Sequence, residues 1–383
     1  MRILTTLRVA NHGSILFADS LQGTLANAFP NYDIRYLDYT PRNRAYYEIL
    51  RMLKPHRKSP FFNLKRYFNL ENFINQNIPY EKIIWQPLGY DRMINFLATR
   101  NYDALVVSMV VWDIHHKIYL SNFPSAYWLS EKIPTPKIAY AVSGHRSKVS
   151  LVKQYYPQIK RILDSYALIG VRDDYTWEIV TESGVAQNVP VIRMPDPTFL
   201  YENKPTQLRK ILVAQGVDLQ RPILGLAVYG KPFFSKELYN FYHRKGFQII
   251  SLSMYNPYAD LNLGQILNPY EWAEVFCYLS FCITDRFHGT IYCLRANKPF
   301  ISIEPYPPEN LKNSKIYCLL KDFDLTEFYA DTYRDDFKMP DFLARAEELR
   351  ASWNSDTQRK VDIKVQEMRQ RNLDFIERMK DIL

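Results

Sequence analysis

In the stretch FCITDRFHGTIYCLRANKPFISIE, Arg286 and His288 stand two residues apart, at the seam between two apolar runs. A tight turn needs neither side chain. An arginine presents a planar fork of donors that matches a carboxylate or a phosphate, and a histidine titrating near neutrality can hold or release a proton. The preceding FCIT reads as a strand and HGTIYCLRAN as a helix. Arg286, Phe287 and His288 would then sit at a helix N-terminus, where unpaired backbone N–H groups already favour an anion. Arg172, in LIGVRDDYTWEIVTESGV, has the same setting: it leaves a strand and precedes a helix whose first turn carries Asp173 and Asp174. Each group alone is explained by a local salt bridge or a cap. Taken together, one in each half of the chain, two arginines and a histidine fit a small ligand with two anionic groups.

Two weaker candidates occupy similar positions. Asn11, His12, Gly13 and Ser14 open the first helix after the first strand, and Gly13 would let a ligand or another backbone come close. Ser143, Gly144, His145 and Arg146 follow the strand KIAYAVS, where they extend a basic cleft or form a plain polar loop. No metal-ligand spacing is legible, and no cofactor is called for.

The elements that must position these residues alternate between short β-branched or aromatic runs and helical patterns, which predicts parallel α/β architecture. Residues 1–203 form one expected domain, with a basic, aromatic insertion at about 41–85. Residues 204–338 form a second, entered through the polar stretch 201–221, and residues 339–383 are charged helices. Before the strand FCIT, Asn268, Pro269 and Glu271 spell a helix start with a capping box. Two such domains leave a cleft between them, and ligands bind beyond the carboxyl ends of parallel strands.

Composition narrows the classes. With 383 residues, 47% hydrophobic and 23% charged, the chain can fill two cores. A net charge of +9 favours anionic partners. The basic residues are scattered, however, apart from KPHRKS (54–59) and the neighbourhood of Arg42 and Arg44, and no nucleic-acid-binding signature accompanies them. Cys277, Cys282, Cys293 and Cys318 lie in or beside apolar runs without CxxC spacing, which predicts buried, reduced thiols. The N-terminus lacks the apolar core of a signal peptide, and no run approaches a membrane span. A cytoplasmic location is expected, with the basic surface leaving contact at the inner face of the membrane open.

The opening strand, loop and helix with NHG resemble the polysaccharide pyruvyl transferase family. So do GVRDDYTWEIVTESG, MPDPTFL, the run from NPYEWAEVF through DRFHG to ANKPFISI, and NSKIYCLLKDFDL. These landmarks span roughly residues 3–328, and DRFHG with the following ANKP is the specific part. The resemblance implies a GT-B-like pair of Rossmann-type domains and transfer of pyruvate from phosphoenolpyruvate to a sugar. It makes Arg172 and Arg286 ligands of the donor and His288 the catalytic or phosphate-contacting histidine. One stretch departs from the pattern: Val110, Val111 and Trp112 stand where the family often has a glycine pair. That bulk predicts an altered sugar pocket or a changed activity. Two alternatives stay open: a glycosyltransferase of the same architecture using a nucleotide sugar, and a non-catalytic glycan-binding descendant.

Overall fold

The computed structural model describes residues 1–39, 60–83, 89–114, 123–229, 233 and 235–383. The basic clusters at 42–44 and 54–59, and His115 and His116, lie outside them. The first sheet contains β1 (Arg2–Leu4), β2 (Arg35–Asp38), β3 (Tyr80–Lys82), β4 (Leu105–Val110), β5 (Lys137–Ser143), β6 (Leu168–Val171) and β7 (Val191–Arg193). The second contains β8 (Ile223–Ala227), β9 (Gln248–Ser251), β10 (Leu261–Asn262), β11 (Phe281–Thr284), β12 (Phe300–Ile303) and β13 (Tyr329–Ala330).

Every pairing in both sheets is parallel. The orders are β3-β2-β1-β4-β5-β6-β7 and β10-β9-β8-β11-β12-β13. Each chain path starts in the middle, winds outward one way and then crosses to the other side. The crossing falls between β1 and β4 in the first sheet and between β8 and β11 in the second. These two switch points are where loops diverge and leave room for a ligand. The central strands are buried along their whole length, so they read as unbroken apolar runs rather than alternating ones.

Asn268 caps the helix Pro269–Val275, accepting from Glu271 N while the Glu271 carboxylate accepts from Asn268 N. This is the capping box that its sequence announces. Other segments come out differently from their sequence reading. The polar stretch 201–221 contains the helix Leu208–Ala214, because Leu208 and Leu212 bury in the second core. The described part of the insertion is a helix, Pro60–Asn77, leading to the edge strand β3. Cys282, Cys293 and Cys318 are buried, but Cys277 is exposed: it lies on the 3-10 turn Phe276–Tyr278, facing away from the core.

The last helix, Ser355–Lys380, belongs to both cores. Val361 and Met368 pack into the second, and Phe375, Ile376 and Met379 into the first. It is pinned to the first domain by Tyr140 Oη donating to Asn372 Oδ1 at 2.9 Å and by Arg371 Nη2 donating to the Arg193 carbonyl at 2.8 Å. Gly170 makes room for it, since a Cβ there would lie 2.8 Å from Phe375 Cε2. Among the described residues no helix is long and apolar enough to cross a membrane.

Candidate functional site

Asp196 is where the two domains' candidate residues meet. It caps the short 3-10 turn Pro197–Leu200, its Oδ1 accepting from Thr198 N at 3.0 Å and from Thr198 Oγ1 at 2.6 Å. Its Oδ2 accepts from Arg172 Nη1, which arrives from the end of β6. His288 Nε2, from the first turn of the helix Phe287–Arg295, stands 3.6 Å from the same oxygen. That is ion-pair range but too long for a direct hydrogen bond. Burial pushes the Asp196 pKa up, yet His288, Arg172 and Thr198 together hold it well below the usual carboxylate range. Asp196 is therefore a fixed anion that orients both side chains.

The two partners are not saturated by it. Nε and Nη2 of Arg172 and Nε2 of His288 are buried with no hydrogen-bond partner among the described residues. Unpaired buried donors on a guanidinium are costly, and folded proteins keep few of them without a use. Burial holds the His288 pKa below the ordinary histidine value, with Asp196 opposing and Arg172 and Lys315 reinforcing the shift.

Phe287 lies between two cations. Its ring centroid is 5.0 Å from the Arg172 guanidinium and 5.0 Å from Lys315 Nζ. Arg286 is the N-cap residue of the same helix; its Nε donates to Asp285 Oδ1 at 2.5 Å and its guanidinium lies 3.8 Å from the Tyr229 ring centroid. Asp285 Oδ2 in turn accepts from Tyr229 N at 2.7 Å, tying the ends of β8 and β11 together at the second switch point.

Lys315 escaped the sequence reading. It begins the helix Lys315–Asp322, capped by Ser314, so its ammonium sits at the dipole end that disfavours a cation. Burial lowers its pKa well below the usual lysine value, and the charges of Arg172, Arg146 and Arg286 push the same way. Its sequence signal was faint: SK at a helix start inside NSKIYCLL, indistinguishable from a surface lysine.

The loop after β5 carries the weaker candidates. Ser143 Oγ and His145 Nδ1 are 2.9 Å apart, and the Arg146 guanidinium lies 5.8 Å from the Tyr306 ring centroid in the second domain. Asn313 Nδ2 donates to the His145 carbonyl at 3.4 Å, so this loop touches the second domain beside Lys315. Gly144 is held against β4's exit, where a Cβ would lie 2.7 Å from the Trp112 carbonyl.

The Asn11–Gly13 loop divides its roles. Asn11 caps the first helix by accepting from Gly13 N at 3.1 Å. A Cβ on Gly13 would lie 2.6 Å from His288 Nδ1 and nearer still to its Cβ, so the glycine makes room for His288. His12 turns away to pack between domains, its Nε2 3.0 Å from the Leu267 carbonyl and its ring stacked on Trp272 at 5.5 Å.

The bulky stretch at the end of β4 does not fill the cleft. Trp112 is buried in the first core, stacked on Trp128 at 4.7 Å, with its Nε1 donating to the Tyr127 carbonyl at 3.2 Å. A register shift between Ser108 and Val110, with Met109 at φ 77, turns the strand end so that this indole faces inward. Among the described residues, no group of three His, Cys, Asp or Glu side chains is placed to hold a metal ion.

The profile of the polysaccharide pyruvyl transferase family matches residues 11–306, which takes in the loop at Gly13, Arg172, Asp196 and DRFHG. The chain belongs to this family. A search of curated proteins returns no match. Among solved structures it resembles a UDP-N-acetylglucosamine 2-epimerase, described as putative, from Listeria monocytogenes, with 8% identity over 94% of this chain and 89% of that one, at a TM-score of 0.54. It also resembles Glycyrrhiza uralensis UGT73P12 complexed with glycyrrhetinic acid 3-O-monoglucuronide, with 8% identity over 100% and 95% of the chains, at a TM-score of 0.54. A third is an S. aureus MnaA–UDP co-structure, with 11% identity over 94% and 90%, at a TM-score of 0.50. At such identities the likeness speaks for the fold, a GT-B-like pair of parallel-sheet domains.

Proposed function

We propose that this member of the family transfers pyruvate from phosphoenolpyruvate to a sugar of a glycan or glycan precursor, forming a pyruvate ketal and releasing phosphate. The observation that carries the reading is unspent donor capacity at the junction: Arg172, though paired with Asp196, keeps Nε and Nη2 buried without a partner among the described residues, within electrostatic reach of Lys315. An anion entering there would take up those donors and ease the burial of Lys315 as a cation. A donor with a carboxylate and a phosphate matches that need.

Arg172 and Arg286 take the donor's two charged groups, with Lys315 between them. His288 contacts the phosphate, its proton affinity rising as the dianion enters, and passes a proton to the departing phosphate. The reaction needs no redox step. The sugar acceptor, free or carried on a lipid, would enter from the first-domain side, past the Ser143–Arg146 loop.

The test is thermal unfolding with phosphoenolpyruvate, beside uridine and guanosine diphosphates. A saturable rise in melting temperature is expected, equivalent to about 2.7 kcal/mol at a hundredfold excess over the dissociation constant. Arg286→Ala should abolish it. His288→Ala should keep most of the binding and lose turnover. A response to a nucleotide with none to phosphoenolpyruvate would move the assignment to nucleotide-sugar glycosyl transfer. Silence from every ligand would leave a non-catalytic glycan-binding protein.

A further inference from the structure

Ketal formation from an enolpyruvyl donor needs a proton at C3, and the residues already described do not supply it. The arginines keep theirs, and His288 is committed to the phosphate side. Of the acids around the cleft, Asp196 is ionised and paired, and Asp173 caps the helix Asp174–Glu182 by accepting from Thr176 N at 2.8 Å. Asp285 holds Tyr229 N and Arg286, and Glu304 accepts from Ser314 and from Tyr329 Oη.

One acid is left. We propose that Asp113, three residues beyond the carboxyl end of β4 at the first sheet's switch point, is the proton donor to C3 of the bound donor. The proposal rests on the pyruvyl-transfer reading above. Asp113 is 4% exposed and rigidly presented: Trp112 before it is locked in the core, and Ile114 N after it donates to Ser147 Oγ at 2.8 Å. Its Oδ1 accepts from Arg146 N at 3.0 Å. The charged groups facing it are Arg146 from the loop after β5, Lys315 from the helix Lys315–Asp322, and Asp173 from the start of its helix. Lys315 also lies within electrostatic reach of Arg172 and Arg286, so Asp113 and the two arginines share a charged neighbour. Burial, against the pull of Arg146 and Lys315, pushes its pKa up to about 6, the range in which a carboxyl can act as an acid at neutral pH.

The step balances as follows. The C2–C3 π pair takes the Asp113 proton, C3 becomes a methyl group and C2 a cationic centre stabilised by its phosphate oxygen. A sugar hydroxyl bonds to C2 and returns its proton to the Asp113 carboxylate. The C2–O bond to phosphate then breaks with its electron pair going to phosphate. A second hydroxyl closes the ketal, its proton leaving with the phosphate.

A donor of several negative charges arriving beside Asp113 raises its proton affinity, so binding loads the acid. The experiment is titration calorimetry of phosphoenolpyruvate at pH 7.5 in buffers of differing ionisation enthalpy, which counts protons taken up. Wild type should take up roughly half a proton more than Asp113→Asn, if binding brings the Asp113 pKa near the working pH. The variant should bind at least as tightly, having lost a negative charge. Asp113→Glu should keep the uptake. In deuterium oxide, with methyl glycosides or water as acceptor, phosphate release and single deuteration of the product methyl should fall about 10²–10⁴-fold in Asp113→Asn. Equal proton uptake in wild type and Asp113→Asn, or phosphate release within threefold of wild type, overturns the assignment. Absence of any heat with wild type and phosphoenolpyruvate defeats the donor reading itself, a different failure.

Discussion

His12 and His288 each follow the first or second half of a switch point: one stands after β1 and opens the first helix, the other after β11 and opens the helix Phe287–Arg295. Both are buried, and burial lowers both pKa values. Their surroundings differ. His12 has a carbonyl at one nitrogen and a tryptophan on its face, with nothing left over. His288 stands beside an aspartate too far away to satisfy it and an arginine whose remaining donors are empty. Burial and a shifted pKa are common to both, so they do not mark a site. What separates them is hydrogen-bonding capacity left unspent on two neighbouring side chains at a switch point, which is what the proposed donor would use.

That contrast is strongest at Arg172. Arg172→Ala leaves Asp196 buried without its charge partner, and a cost of about 3–5 kcal/mol is expected in urea unfolding together with loss of any response to phosphoenolpyruvate. If the variant were as stable as wild type, Asp196 would not be the anchor described.

His12 provides the next test, in pH dependence. Its folded pKa is lowered to about 3, by burial first and the Arg66 charge second, from an unfolded value of 6.5. The unfolded chain therefore takes the proton first as pH falls. The stability His12 contributes is complete above pH 6.5 and is lost on the way down to 3, about 3 kcal/mol of it by about pH 4.5. His12→Gln should flatten the unfolding free energy across that window while leaving ligand binding in place at pH 7.5. An unchanged slope would mean the ring is solvated rather than closed.

The smallest expected effect compares two glycines of the first helix. Gly13→Ala drives a methyl group into His288, so a cost of about 1–3 kcal/mol and a weakened ligand response are expected. Gly23, with nothing within 4 Å of a Cβ, should tolerate alanine and gain about 0.5–1 kcal/mol. Melting curves with and without phosphoenolpyruvate separate the two; equal behaviour would show that His288 moves freely.

Much of this protein is legible in its sequence. Buried parallel strands are continuous apolar runs, so KIAYAVS and FCIT could be placed within a residue or so. Short edge strands were not: β3 and β13 pair along one side only, and their two or three residues carry no pattern. Arg172, Arg286 and His288 stood out because rare residue types followed strand ends. Asp196 was visible only as a turn between two prolines, and Asp113 only as the residue after an intrusive tryptophan.

The sequence by itself determined the local chemistry: which runs become strands, where helices are capped, and which loops begin with an arginine or a histidine. These depend on neighbours a few residues away, through periodicity and capping. Only the tertiary structure decided that Arg172 and His288, 116 positions apart in the numbering, share one aspartate, that Lys315 lies within electrostatic reach of three arginines, and that Nε2 of His12 meets a carbonyl while Nε2 of His288 has no partner among the described residues. Those outcomes depend on how two sheets and a shared C-terminal helix fix the gap between domains. Desolvation and charge act through space, and no spacing along the chain encodes them.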